Sequence, residues 1–181
     1  MTPTDSQITQ AIKQDVNQGF RLLLTKYQET VYWHIRRMVV SHDDALDATQ
    51  ETFIRIYRYI ATYSGQGTLT GWIYRIATHE ALRILSHRQN QEISLDSEES
   101  GTTFEAYADA YVDYSDAEAV LLQKAILTLP PKQQVAFTLR HFNDMAYEDI
   151  AQAMNCTPSA AKANYHLAKT KITVYLNQGA F

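Results

Sequence analysis

The residues of this chain that could do acid–base or metal chemistry are badly placed for it. Its six histidines, His34, His42, His79, His87, His141 and His166, are scattered with no His-x-x-x-His pair, and no glycine-rich phosphate loop or nucleophile motif accompanies them. A lone cysteine, Cys156, excludes an internal disulfide framework, and no Cys or His cluster has zinc-ligand spacing. Nothing asks for catalysis, and no cofactor, metal or small-molecule substrate is implied. What the side chains can do is hold phosphates and base edges. From about Ser159 to Leu176 an apolar stripe, Ala161, Tyr165, Ala168, Ile172 and Tyr175, repeats at helical steps and leaves Ser159, Lys162, Ala163, His166, Lys169 and Thr173 on the opposite side. Asn155 to Phe181 carries three lysines and no acid. Lys162 and Lys169 suit phosphates or base acceptors, and Ser159 with the amides of the helix start can hold a phosphate.

Such a face reads DNA only if something fixes its angle. The sequence supplies a short support helix, Tyr147 to Met154, with Ile150, Ala151 and Met154 buried, and then a tight turn at Asn155-Cys156-Thr157. Together with the following helix this is a helix-turn-helix. Two helices precede it, Ala117 to Leu127 and Lys132 to about His141, separated by Leu129-Pro130-Pro131, with Pro131 at the first helical position where its missing N–H does no harm. By pattern alone the same arrangement also fits a plain helical hairpin with a solvated basic face. Three lysines make a light electrostatic footprint, so this unit alone should bind DNA weakly.

A net charge of −4 argues against a nucleic-acid binder, but the acidity is local. Residues 89 to 118 hold nine acids and no base, which leaves sixteen bases against eleven acids elsewhere. That stretch is polar, weakly periodic and too long for an ordinary connection, so 89–116 reads as an acidic flexible linker. Its aromatic-rich part, Phe104 to Tyr114, could dock on a partner or become helical there. The start of the chain lacks a signal peptide's basic head and apolar run, and no stretch approaches the ~18 apolar residues of a membrane span. A cytoplasmic protein without direct membrane insertion is the expectation.

Ahead of the linker, Phe20, Leu23, Leu24, Tyr27, Val31, Ile35 and Met38 mark one face of a long helix ending near Val40. A second helix starts at Ser41, a capping residue, with Asp43 and Asp44 at its positive end and a buried stripe of Leu46, Thr49, Phe53, Ile56 and Ile60. Tyr63 to Thr68, with two glycines, is a loop. Trp72, Ile73, Ile76, Ala77, Ile84 and Leu85 then restore helical spacing to about Arg88. His34, near an apolar face, reads as a packed surface residue. The fold class is all-α: two small helical domains, 1–88 and 117–181, joined by the linker, the second ending in the helix-turn-helix.

Two separated motifs resemble those of bacterial RNA polymerase sigma factors of the extracytoplasmic-function subfamily, in the sigma-70 family. One is Asp44-Ala45-Leu46-Asp47-Ala48-Thr49-Gln50-Glu51-Thr52-Phe53-Ile54-Arg55-Ile56-Tyr57 with the later Trp72-Ile73-Tyr74-Arg75-Ile76-Ala77. The other is Leu129-Pro130-Pro131-Lys132-Gln133-Gln134, Tyr147-Glu148-Asp149-Ile150-Ala151 and Ser159-Ala160-Ala161-Lys162-Ala163. The resemblance covers about residues 16 to 176. It implies that the second helix binds the clamp of the largest subunit of core RNA polymerase, through Asp44, Asp47, Gln50, Glu51, Ile54 and Arg55. It implies that the loop Tyr63 to Leu69 and the helix after it open promoter DNA at the minus-ten element, with Tyr63, Arg75, His79, Arg83 and Arg88 as candidates. Trp72 reads first as core, because it begins the apolar stripe. Ser159, Lys162, Ala163, His166 and Lys169 would read the minus-thirty-five element. An anti-sigma factor is the further partner implied, and the linker would thread the polymerase interior. The chain departs from the family at His79, Arg83, Asn164 and Leu167, where Asn, Asp, Arg and Arg are common. The alternative function is a helix-turn-helix regulator that does not bind core polymerase.

Overall fold

The computed structural model describes residues 2–39, 41–94 and 117–178, with side chains from 88 to 94 and at Ala117 left aside. Among the described residues there are helices and no strand. The helices are α1 (Asp5–Gln14), α2 (Val16–Val39), α3 (His42–Tyr59), α4 (Leu69–Ser94), α5 (Ala117–Leu127), α6 (Pro131–His141), α7 (Tyr147–Met154) and α8 (Pro158–Gln178). A single 3₁₀ turn, Ile60–Thr62, closes α3. Residues 95–116, most of the expected linker and all of Phe104 to Tyr114, lie outside the described residues. The backbone of α4 continues to Ser94, six residues past the end expected from the apolar pattern.

The helix starts are chemically specified. The Ser41 hydroxyl accepts the Asp44 amide at 3.3 Å, and the Thr68 hydroxyl accepts the Gly71 amide at 3.0 Å to begin α4. One start went unread in the sequence. Thr4 and Gln7 form a reciprocal capping box, and the helix that follows buries Ile8, Ala11 and Ile12. That helix lies so close to α2 that a Cβ on Gly19 would sit 2.6 Å from the Ile12 backbone nitrogen.

One apolar core runs through both halves of the chain. Leu23, Val31, Ile35 and Met38 of α2, Ile56 of α3 and Ile73 of α4 join Val135, Leu139, Ile150 and Ala151 from the second half. A smaller cluster of Ala125, Ile126, Leu129, Phe137, Ala168 and Ile172 holds α5, α6 and α8 together. Polar contacts stitch the halves: Asn143 donates to the Tyr74 hydroxyl at 2.7 Å, and Gln123 donates to the Arg37 carbonyl at 3.0 Å. The Arg37 guanidinium also lies 4.1 Å from the centre of the Phe142 ring.

Three details of the sequence reading change. Leu46, expected in the buried stripe of α3, is 39% exposed; Ala45, Ala48 and Thr52 take the core positions. Met154 is half-buried, and Ala153 beside it is buried together with Ala151. His34 is fully buried rather than at the surface. Its Nε2 lies 3.0 Å from the Thr78 hydroxyl, and burial, helped by the nearby Arg37 charge, lowers its pKa to about 3.

Candidate functional site

Three surfaces gather the residues singled out above. The first is the outer face of α3. Asp47, Gln50 and Ile54 stand in water, while Asp44 and Glu51 are half-buried. Leu46, Gln50, Ile54 and Tyr57 follow at steps of four, four and three, and the three apolar members are 39%, 46% and 48% exposed. Tyr57 is braced there by a hydrogen bond to Asn17 at 2.9 Å and by an edge contact with Phe20. Leu46 and Tyr57 belong to this face although the sequence reading left them out. The sequence pattern puts Leu46 in the buried stripe and assigns Tyr57 to neither face, although the spacing to Ile54 is legible.

The second surface is a cleft of about 250 Å³ between the end of α3 and α4, lined by Arg55, Tyr59, Trp72, Arg75, Ile76, His79 and Glu80. Glu80 is fully buried. One of its oxygens meets Arg55 Nε at 2.8 Å and the other meets Arg83 Nε at 2.9 Å. Arg55 also donates to Glu51 at 3.0 Å. The structure thus turns Arg55, and Glu51 with it, toward α4 and away from the free α3 face. Arg75, His79 and Arg83 are exposed around the cleft. Trp72 is half-buried and forms part of the wall, its ring against Tyr63 at 5.3 Å. Tyr63 is held by a hydrogen bond to the Gly67 carbonyl at 3.3 Å, and burial raises its pKa. The side chain of Arg88 lies outside the described ones. Glu80 and Tyr59 were missed; an acid one turn before Arg83 was the available signal.

The loop feeding this cleft has positive φ at Gly65 and Gly67, conformations that favour glycine. It is covered by α7. The Thr68 hydroxyl donates to Asp149, the Thr68 amide donates to Gln152 Oε1 at 3.3 Å, and a Cβ on Gly67 would come within 2.5 Å of that Gln152 oxygen.

The third surface belongs to α8. Asn155 adopts a left-handed conformation to end α7, and the Thr157 hydroxyl accepts the Ala160 amide at 3.2 Å to start α8. Ala161, Ala168 and Ile172 are buried, and the Tyr165 ring stacks on Phe137. Ser159, Lys162, Ala163, His166 and Lys169 are all exposed, as are Leu167 and Val174. Asn164 turns back to the Ala160 carbonyl at 2.9 Å.

Family comparison matches residues 23–91 to Sigma-70 region 2 and residues 119–172 to Sigma-70 region 4. The chain belongs to the sigma-70 family. It is 29% identical over 176 residues to the RNA polymerase sigma-H factor of Pseudomonas aeruginosa, covering 93% of this chain and 91% of that one. It is 28% identical over 177 residues to the ECF RNA polymerase sigma-E factor of Haemophilus influenzae, covering 93% of each chain. Among solved structures, CnrH in complex with the cytosolic domain of CnrY superposes with a TM-score of 0.73 at 12% identity, covering 97% of this chain and 99% of that chain. The sigma factor RpoE in complex with the anti-sigma factor NepR from Bartonella quintana gives 0.71 at 19% identity, covering 87% and 96%. The first two surfaces fall within the region 2 match, and the third, apart from Val174, within the region 4 match. This sigma factor is of the extracytoplasmic-function type, and its family is not an enzyme class.

Proposed function

We propose that this sigma factor is a dissociable initiation subunit that recruits core RNA polymerase to promoters and helps open them, with its three surfaces in separate roles. The outer face of α3 takes the polymerase clamp, through Asp47, Gln50 and Ile54 with Leu46 and Tyr57. The cleft beside Trp72, with Arg75, His79 and Arg83 at its rim, takes minus-ten DNA. The exposed face of α8 takes the minus-thirty-five element, and no surface needs a catalytic group. The observation that carries the reading is α3 itself, which keeps Leu46, Ile54 and Tyr57 in water beside Asp47 and Gln50. An apolar row rimmed by polar groups is the composition of a protein contact.

No described helix is long and apolar enough to cross a membrane, and a subunit that recruits core polymerase acts in the cytoplasm. One solved neighbour is a sigma factor in complex with an anti-sigma factor, and the other, CnrH, is in complex with the cytosolic domain of CnrY; both support an anti-sigma factor for this chain too. Run-off transcription with core polymerase and fragmented genomic DNA tests the whole. Specific start sites are expected, and Asp47→Lys with Gln50→Lys should abolish capture of core enzyme while leaving the helical circular dichroism unchanged. Failure to direct any start overturns the reading.

A further inference from the structure

Two parallel rows run along the outer side of α8, one residue apart. One is polar, Lys162, His166 and Lys169. The other, Ala163, Leu167, Thr170 and Val174, steps by four, three and four. Leu167 and Val174 are 53% and 50% exposed, and Ala163 and Thr170 are exposed as well. The Thr170 hydroxyl donates to the His166 carbonyl at 3.0 Å, so what it offers outward is its methyl. This row is made of methyl groups.

Of the groups that usually discriminate bases by paired hydrogen bonds, the same stretch holds only Lys162 and one carboxamide. Residues 158–168 contain no Arg, Gln, Asp or Glu, and the side-chain amide of Asn164, the one carboxamide there, is tied to the Ala160 carbonyl. In the major groove the remaining feature that sets one base apart without hydrogen bonds is the thymine C5-methyl, which small apolar side chains contact. The residues of a reader helix that reach base edges lie toward its N-terminal end. That includes Ala163 and Leu167, whereas Val174, sixteen residues after Pro158 at 1.5 Å rise, stands about 24 Å from the start. A protein helix is the other occupant an apolar row could take. The flanking charge favours DNA: three lysines and no acid lie between Asn155 and Phe181.

We propose that α8 selects its promoter element by methyl contact, with Leu167 as the principal group and Ala163 beside it packing on thymine methyls while Lys162 and Lys169 hold the flanking phosphates. This rests on the assignment of α8 to promoter DNA made above. The test uses the full-length sigma factor with core polymerase to select bound duplexes from fragmented genomic DNA. Each thymine of the selected upstream element is then replaced singly by deoxyuridine, which removes only the methyl. At one or two positions the dissociation constant should rise about fourfold, the worth of one buried methyl. Leu167→Ala should shrink that penalty below about twofold, and Lys162→Ala should weaken all duplexes alike and flatten the salt dependence. Uracil and thymine equal within about twofold at every position, or a penalty untouched by Leu167→Ala, overturns the inference and leaves the row to an apolar protein partner. Failure to select any sequence is a different result and overturns the promoter reading as well.

Discussion

Glu80 lies wholly out of water between two arginines that do not. Arg55 and Arg83 keep 39% and 47% of their side-chain surface, so either can lose its partner and turn to solvent, whereas Glu80 cannot. Removal of the arginines should therefore be strongly non-additive. Arg55→Ala or Arg83→Ala alone should cost about 1 kcal/mol, the scale of a half-exposed pair. Both together strand a buried carboxylate and should cost about 3–5 kcal/mol in urea unfolding. A double variant equal to the sum of the singles would mean that water reaches Glu80. His34 supplies a pH dependence of known sign. Burial holds its folded pKa at about 3, below the ordinary 6.5. In that interval the unfolded chain binds a proton that the folded chain does not, and stability falls as pH is lowered. Relative to His34→Gln, the parent should lose roughly 2–3 kcal/mol between about pH 7 and 4.5. Parallel stability curves for the two would show that His34 does not titrate on unfolding.

At the scale of elements, the contact of α1 with α2 makes a sharp prediction. A methyl at Gly19 would lie 2.5 to 2.7 Å from Ile12, against backbone nitrogen and Cα as well as side chain. Backbone cannot rotate aside, so Gly19→Ala should cost about 1–3 kcal/mol by forcing α1 outward. A lower midpoint in thermal melting, with faster proteolysis ahead of residue 15, is the expected result. This helix is also what the sequence reading lost, and the reason is physical. Its apolar residues Ile8, Ala11 and Ile12 are too few to stand out in a polar stretch, and only the Thr4–Gln7 box announces it. By contrast α2, α3 and the α7–α8 pair were legible because one-sided burial leaves helical spacing in the sequence. Surface and core were confused where α3 has two apolar sides. Leu46 reads the same whether it faces the core or a partner, and only the packing of Ala45 and Ala48 decides. The ion cluster around Glu80 was hidden for another reason: it joins Arg55 to an acid 25 positions further along the chain.

For the molecule as a whole, the closed packing conflicts with the reading of both promoter elements at once. Thr68, in the loop assigned to minus-ten DNA, bonds Asp149 and Gln152 of α7. Asp149 is only ten residues before Ser159, so even an extended chain would leave Thr68 and the reader within about 40 Å. Elements centred at minus ten and minus thirty-five are about 25 base pairs apart, about 85 Å along the duplex at ~3.4 Å per step. If the loop and α8 take the two elements of one promoter as proposed, the halves must separate first, and what they give up is the apolar core they share: Leu139, Ile150 and Ala151 leave Ile73 and its neighbours. A covalent lock tests this directly. With Cys156→Ser to remove the native thiol, Thr68→Cys and Asp149→Cys place two thiols where the side chains now touch. Oxidised, the locked protein should lose promoter binding with core polymerase by about tenfold or more, because opening the lock is the step that conformational selection requires. Reduced, it should recover the affinity of the Cys156→Ser parent. Unchanged promoter binding by the oxidised protein, with the disulfide verified by mass spectrometry, would mean that the two surfaces do not act on one duplex as assigned.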